Sequence, residues 1–273
     1  MKTISKTTLV DLAPYSTRPT PAKIIYDQAG SGDHLVICVH GLGLDRSQFA
    51  NVLAGTTPTY TTLAVDLPGH GASPRLDEPE SILTVYANIV RGLTVNWVPK
   101  RLTLVGAGMG YAVAAGASRR RSDGEAAIPS RVISIEGNVY GEDCAAISRR
   151  VSGTDVDDYL SYDHDKIGLD LAASLDPADR HRARTWPDAD PLTLHAAASQ
   201  LVDWCDDEFL RRETERVCPA YLHGEHGQPS PPGVRRFYSD VHTVPQAGHA
   251  PLTEQPRYAT PLVWQAIRQA WTI

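Results

Sequence analysis

One short segment, residues 104–110, constrains the fold more strongly than any other part of this chain. It runs from an apolar stretch into three glycines, Gly106, Gly108 and Gly110, which predict a tight turn followed at once by a helix. Strand, turn and helix in immediate succession are the unit from which a parallel sheet covered by helices is built. Short apolar runs alternate with longer helical patterns along the rest of the chain, so we expect the α/β class.

The elements expected from these patterns divide the chain into two parts. Strands are expected at 22–26, 34–39, 61–65, 102–105, 132–135, 220–223 and 241–244, and helices at 82–96, 109–118 and 258–271. The interval 139–217 is rich in Asp, Arg and Ala, has no convincing strand pattern, and shows helical stretches at 145–151, 192–204 and 207–216. Because it falls between two expected strands, we interpret 139–217 as a helical cap inserted into a core of residues 1–138 and 218–273.

Composition limits the partners and the compartment. The 273 residues carry a formal net charge of −6 with a pI near 5.9, which argues against nucleic acid or an anionic membrane as the main partner. The first ten residues lack the apolar stretch of a secretory signal, and no apolar run approaches the ~20 residues that span a bilayer. Cys38, Cys144, Cys205 and Cys218 form no CxxC pair, so we expect free thiols in a reducing cytoplasm and no zinc site.

The glycine turn is compatible with two kinds of site. Gly106, Gly108 and Gly110 match the start of a dinucleotide-binding fingerprint, and Glu136 is a candidate for its ribose-binding acid. Two details argue against this interpretation. The sixth fingerprint position is Tyr111, which is too bulky for the close packing that a third glycine allows. Glu136 also comes 30 residues after Gly106, instead of about 20. We therefore expect no cofactor.

Three further motifs follow expected strands and suggest a different family. They are His40-Gly41-Leu42-Gly43-Leu44-Asp45, Asp66-Leu67-Pro68-Gly69-His70-Gly71-Ala72-Ser73 and Gln246-Ala247-Gly248-His249-Ala250-Pro251-Leu252. With the turn at 106–110, they stand in the order and spacing of the α/β-hydrolase fold, and the chain resembles that superfamily from about residue 24 to residue 271. Within it, the chain looks like cap-bearing small-molecule hydrolases and their non-hydrolytic relatives, which implies a small organic substrate.

The resemblance implies a role for each matching residue. Serine hydrolases of this fold carry the nucleophile in a Gly-x-Ser-x-Gly elbow between a strand and a helix, and Gly108 stands at the position of that serine. His249 stands at the position of the general base. The backbone N–H groups of Leu42 and Met109 would form the oxyanion hole, and these donors do not depend on any side chain.

The acid that would orient His249 has two candidates. In much of the family an Asp follows the seventh strand, but Gly227 occupies that position here. Some members place the acid at the end of the sixth strand instead, and Glu136 fits that arrangement. We favour Glu136 and keep Glu225 as the alternative; a carboxylate bonded to the imidazole would fix its tautomer.

Other candidate residues have simpler explanations. The residues expected around the pocket are His40, Gly41, Gly43, Tyr111 and Tyr140. Of these, His40 is expected to be structural, because its loop places the amide of Leu42, and packing is an equal alternative for the two tyrosines. The acidic stretches 155–158 and 163–165 match no frame of a calcium-binding EF-hand loop, so we expect a solvated surface and no metal.

Three functions are compatible with such a scaffold without its serine. The first is a cofactor-independent enzyme in which His249 is the general acid or base and the oxyanion hole stabilises an enolate or alkoxide, during proton transfer, elimination, cyclisation or direct hydrolysis by water. The second is a serine hydrolase, of esterase or lactonase type, whose nucleophile has been replaced by Gly108. The third is a non-catalytic binder of small molecules. We favour the first, because a base, an oxyanion pocket and a shaped cavity all survive the loss of a serine.

Overall fold

A single sheet organises the molecule. The computed structural model describes residues 2–12, 21–77, 81–119, 127–139, 146–217, 219–227, 238 and 240–269. Its eight strands are β1 (Ile4–Val10), β2 (Ala22–Gly30), β3 (His34–Val39), β4 (Tyr60–Val65), β5 (Arg101–Ala107), β6 (Arg131–Ile135), β7 (Ala220–Gly224) and β8 (Asp240–Val244). They lie in the order β1-β2-β4-β3-β5-β6-β7-β8, and every pair is parallel except the two pairs that involve β2. The mostly parallel sheet expected from the sequence is therefore confirmed.

One strand, β1, was not expected from the sequence. Its residues are largely Thr, Ser and Lys, and most of its side chains are exposed at the sheet edge, so it carries little of the apolar signal that marks a buried strand. The strands β3 and β4 are buried along their whole length, as parallel strands covered on both faces must be. Apolar continuity therefore predicted the centre of the sheet and missed the polar edge strand β1.

Helices cover both faces of the sheet. The α-helices of the described residues are α1 (Ala50–Ala54), α2 (Ile82–Trp97), α3 (Met109–Ala117), α4 (Ala146–Ser152), α5 (Val156–Asp158), α6 (His164–Ala173), α7 (Pro177–Thr185), α8 (Pro191–Asp206), α9 (Phe209–Val217), α10 (Pro251–Glu254) and α11 (Pro256–Gln269). The helices α2 and α3 share one apolar core with the sheet, and α1 and α11 share the other. Every residue of α3 is buried, because its alanines and glycines let the helix lie close to the strands.

The described part of the interval expected to be a cap, residues 146–217, contains the six α-helices α4–α9 and no strand. The helix α8 packs against α2 and α4, and α9 packs against α3. Both α7 and α8 begin with an Asp whose carboxylate accepts a backbone N–H, followed by a proline in the first turn. The interval joins β6 to β7, and its assignment as a separate cap stays a prediction. Within the described ranges, no helix combines the length and apolar character needed to cross a bilayer.

Candidate active site

The turn between β5 and α3, residues 106–110, has the backbone of a sharp elbow. Gly108 has φ 51° and ψ −120°, a conformation that glycine adopts at little cost and other residues rarely adopt. Its N–H donates to the carbonyl of Ile135 at 3.0 Å, and its carbonyl accepts from Tyr111 N–H at 3.0 Å. Among the described residues, apart from its two chain neighbours, a Cβ added at position 108 would have only Gly41 Cα within 4 Å, at 3.9 Å. The space that a nucleophilic side chain would enter is therefore open.

The two glycines that flank this position have a different reason to be glycine. A Cβ at Gly106 would lie 2.3 Å from the carbonyl oxygen of Gly110, and a Cβ at Gly110 would lie 2.0 Å from that of Val39. Close approach of backbone to backbone requires both residues to lack a side chain. The packing of the elbow thus accounts for them, with no need for a pyrophosphate.

Two residues that line the pocket beside Gly108, Leu42 and Met109, are the candidates for backbone donors. Met109 is the first residue of α3, where a helix leaves its N–H groups without an internal acceptor, and Leu42 lies in the loop that follows β3. Both residues line the pocket, and among the described residues no group accepts a hydrogen bond from either N–H. The positive end of the α3 dipole adds to the attraction for negative charge. The role of this pair as an oxyanion hole stays a prediction.

His40 holds the loop that carries Leu42. Its ring is fully buried; Nε2 accepts from Leu67 N–H at 3.1 Å, and Nδ1 lies 2.8 Å from the carbonyl of Gly41, so Nδ1 carries the proton and donates. Burial lowers the pKa of His40, and the bond to Gly41 only partly opposes this, so the ring stays neutral. Gly43, also expected near the pocket, is covered by Trp186 instead. The two residues shape the loop and are not among the described residues that line the pocket.

His249 lies in the loop between β8 and α10, next to the buried carboxylate of Glu136. Its Nδ1 is 3.5 Å from Glu136 Oε2. Glu136 follows β6 with φ 48°, a left-handed conformation that is strained for a residue with a side chain. Its Oε1 accepts from Gly224 N–H at 2.5 Å and lies 3.3 Å from His223 Nδ1. One carboxylate is therefore shared by two imidazoles, one buried and one at the pocket.

The electrostatics of Glu136 favour its ionised form. Burial on its own would raise the pKa of the carboxyl, but the contacts with His223 and His249 and the N–H of Gly224 outweigh it and hold the pKa below its ordinary value. The 3.3 Å contact of His223 does not meet hydrogen-bond geometry, so the attraction there is mainly that of a nearby dipole or charge. A carboxylate next to Nδ1 keeps the proton of a neutral imidazole on that nitrogen, which leaves Nε2 free to accept a proton.

The alternative acid, Glu225, is placed differently. It is exposed and accepts from the backbone N–H of Gln246 at 2.8 Å, as a turn-stabilising residue does. Gly227 explains why Glu136 fits where it does, because a Cβ at Gly227 would lie 2.4 Å from Glu136 Oε1. The carboxylate of Glu136 thus fills space that a side chain at position 227 would need.

The turns at this edge of the sheet are tied together by backbone hydrogen bonds. Gly108 N–H donates to Ile135 at the end of β6, and Glu136 N–H donates to Leu222 in β7, each at 3.0 Å. Glu225 N–H continues the series by donating to Val244 of β8 at 3.0 Å. The elbow, the turn of Glu136 and the turn after β7 therefore keep fixed relative positions.

These groups surround a pocket of about 500 Å³, counting the open space at its mouth. Its walls are formed by Gly41, Leu42, Leu44, Gln48, Ala107, Gly108, Met109, Ile135, Asn138, Ile147, Ser148, Arg182, His249, Ala250, Pro251 and Leu252. Sequence reasoning did not anticipate Arg182, which comes from α7, nor the contact of His223 with Glu136. The sequence does contain a signal for His223, because this residue stands one position before Gly224 at the end of an expected strand.

The two expected pocket tyrosines lie elsewhere. Tyr111 is buried, and its hydroxyl is 2.7 Å from Thr214 Oγ1 in α9, so it joins α3 to α9 and does not line the pocket. Tyr140 lies outside the described residues. Within the described part of the chain, no three His, Cys, Asp or Glu side chains are grouped as a metal site requires. Cys38 and Cys205 are buried, and the other two cysteines lie outside the described residues.

Several solved structures share this fold. An esterase from Thermogutta terrifontis, in a malate-bound structure, has a TM-score of 0.75 and 19% identity, covering 98% of this chain and 100% of its own. The esterase EaEST from Exiguobacterium antarcticum has a TM-score of 0.73 and 17% identity, covering 96% and 100%. The epoxide hydrolase CorEH has a TM-score of 0.71 and 14% identity, covering 98% and 99%. At these identities the likeness shows the fold alone.

Sequence comparison supplies the family. The uncharacterized protein Rv2715 of Mycobacterium tuberculosis is 36% identical over 88 residues, which are 32% of this chain and 25% of the relative. The match thus spans about a quarter of the length of that curated relative. The model of a family described as "Alpha/beta hydrolase family" matches residues 36–259. Since that range is well over half of the 273 residues, the chain belongs to the alpha/beta hydrolase family.

Proposed function

We propose that this protein is an enzyme that acts on a small organic substrate without forming a covalent intermediate. His249 is the general base and then the general acid, Glu136 orients its ring, and the N–H groups of Leu42 and Met109 stabilise negative charge on oxygen. The observation that carries the proposal is the open space above Gly108, in a pocket that Leu42, Met109 and His249 also line. A water or a hydroxyl of the substrate fits where a serine side chain would otherwise lie.

Direct hydrolysis by water is the reaction that this arrangement supports best. His249 Nε2 takes a proton from water as the water oxygen adds to the carbonyl carbon. The oxyanion that forms accepts from the two backbone N–H groups. Its collapse breaks the bond to the leaving alkoxide, which takes the proton back from the imidazolium. Glu136 stabilises that imidazolium and does not itself take up a proton.

The test is the loss of turnover in His249→Ala. A panel of p-nitrophenyl esters, lactones and epoxides identifies a substrate, and kcat/KM is then compared between wild type, His249→Ala and His226→Ala, which replaces an exposed histidine of a nearby turn. We expect a loss of about 10²- to 10⁴-fold in His249→Ala alone, and no acyl adduct on the wild type by intact mass spectrometry. Equal turnover in His249→Ala would refute the proposal. Ligand binding without turnover of any substrate would favour a non-catalytic binder.

A second candidate, a serine hydrolase that has lost its nucleophile, is favoured by the clearance at position 108. Gly41 Cα, at 3.9 Å, is the one described atom outside the chain neighbours that lies within 4 Å of an added Cβ, so there is room for the Cβ of a serine, although the positive φ is strained for it. Gly108→Ser should then react with a fluorophosphonate probe and hydrolyse p-nitrophenyl esters, while Gly108→Ala should do neither. A folded, inert Gly108→Ser protein would exclude this candidate.

A further inference from the structure

The helix α7 is bonded to the loop that carries the oxyanion donor. Arg182 Nε donates to the carbonyl of Leu42 at 3.2 Å, and Thr185 Oγ1, one turn later, donates to the carbonyl of Gly43 at 2.7 Å. Consecutive carbonyls of one loop thus accept from successive turns of one helix. Arg182 therefore has a fixed position beside the proposed oxyanion hole.

The same helix also touches the segment that follows the proposed base. His181 Nδ1 lies 3.2 Å from Thr253 Oγ1, and Thr253 belongs to α10, which begins two residues after His249. Neighbouring residues of α7 thus contact both the loop of Leu42 and the segment after His249. A ligand bound between that loop and that segment is therefore within reach of an α7 side chain that enters the pocket.

Arg182 places a positive charge at the pocket, and no described residue of the pocket wall has a negative charge to neutralise it. Among the described residues that line the pocket, Arg182 and His249 alone have ionisable side chains, and none has a carboxylate. The side chain of Arg182 is only 13% exposed. Asp179, one turn earlier in α7, has an oxygen 3.8 Å from Nη1, which is too far for a hydrogen bond, and its own side chain is 36% exposed. Solvent around Asp179 weakens that attraction.

The surroundings of the Arg182 guanidinium favour the binding of an anion. Burial lowers the pKa of Arg182, and Asp179 and Asp176 oppose the shift only in part. Nε is used by the carbonyl of Leu42, which leaves donors on the two Nη nitrogens. The planar fork of a guanidinium matches the two oxygens of a carboxylate, and its single charge matches that of one carboxylate.

We propose that the ligand of this pocket carries a free carboxylate and that Arg182 binds it. The inference rests on the proposed function, and it makes the substrate a small ester or lactone with a carboxylate close to the reacting carbonyl. Closeness follows from the bond between Arg182 and Leu42, because the guanidinium contacts the same residue whose N–H faces the developing oxyanion.

The experiment measures binding of unreactive matched probes, so it does not depend on turnover. Phenylacetate is compared with phenylacetamide, and hexanoate with hexanamide, by titration of wild type, Arg182→Gln and Arg184→Gln. The glutamine amide keeps an N–H for Leu42 and removes the charge, and Arg184 is an exposed arginine of the same helix. We expect carboxylates to bind about tenfold to a hundredfold more tightly than amides in wild type and Arg184→Gln, and within about twofold of them in Arg182→Gln.

Three results would overturn the proposal. They are no saturable binding of either carboxylate to wild type, an unchanged preference in Arg182→Gln, and phenyl phosphate or inorganic phosphate binding more tightly than the carboxylates. His249→Ala should keep the preference for carboxylates, which excludes the imidazolium as its source. If His249→Ala keeps both the preference for carboxylates and full turnover, the proposed function is refuted and this inference stands. If His249→Ala loses both, this inference is refuted and the proposed function stands.

Discussion

Gly108, at the elbow, has no side chain, and two hydrogen bonds hold its backbone. Glu136, in the neighbouring turn at the same edge of the sheet, is buried instead, and both of its carboxylate oxygens have polar contacts. Both residues have positive φ. Glycine bears this conformation without strain, but Glu136 does not. Strain persists only where the surroundings enforce it, so Glu136 is held in its conformation by its contacts, whereas Gly108 adopts its own at little cost.

The sharpest way to break this comparison is to remove the charge of the acid. Glu136→Gln should lower kcat by about 10²- to 10⁴-fold, because the neutral amide neither fixes the tautomer of His249 nor stabilises its imidazolium. KM should change little. Glu225→Gln, which alters the exposed alternative, should leave kcat within about twofold. The measurement is steady-state kinetics on the substrate found by the panel, and equal losses in both variants would show that neither carboxylate has the assigned role.

The space that Glu136 fills is the next point to test. Gly227→Asp should destabilise the fold by about 2–4 kcal/mol, since its Cβ would overlap Glu136 Oε1 and its carboxylate would face a like charge. Gly227→Ala separates the steric part from the charge. In urea unfolding, Glu136→Ala combined with Gly227→Asp should recover about 1–3 kcal/mol relative to the sum of the single variants. Additive losses would show that the two positions do not compete for space.

A smaller loss of stability is expected from substitutions at the elbow. Gly108→Ala should cost about 1–3 kcal/mol, because the added methyl group meets open space and the penalty is that of a positive φ combined with ψ −120°, which residues with a side chain rarely adopt. Gly110→Ala should cost more, since its Cβ would lie 2.0 Å from the carbonyl oxygen of Val39. Thermal or urea unfolding compares the two variants. A larger loss at position 108 would mean that the space above the elbow is not open.

The smallest expected effect is in the pH dependence of stability. The pKa of folded Glu136 lies below its ordinary value of 4.5, so the unfolded chain takes up a proton at a higher pH than the folded one. The stabilisation is complete above that ordinary value and is lost as pH falls through the folded pKa. Wild type should therefore lose more free energy of unfolding than Glu136→Gln between about pH 6 and pH 3. Parallel curves for the two proteins would argue against an ionised Glu136.

The parts of the fold that were predictable are those with local signals. The strand β3 lies where its apolar run predicted, and the glycines at 106–110 predicted the turn from β5 into α3. The polar edge strand β1 has no such signal. Glu136 was favoured as the acid from its place after the sixth strand, and the structure brings it to His249; its catalytic role stays a prediction.

Arg182 shows what sequence patterns leave out. Its partner Leu42 is 140 residues away in sequence, so their contact depends on how α7 packs against a loop of the sheet. Nothing in the residues around Arg182 distinguishes it from Arg180 or Arg184 on the same short helix. Only the fold assigns one of these arginines to the pocket and the other two to solvent.

The backbone bonds that run from the elbow to β6, from the turn of Glu136 to β7, and from the turn of Glu225 to β8 have an evolutionary consequence. In each of these three bonds the acceptor is a backbone carbonyl of the following strand, so replacing a side chain in one turn leaves the three bonds in place. Evolution can therefore change the side chain at position 108 at a cost confined to the backbone strain of that one residue, with the neighbouring turns kept in register.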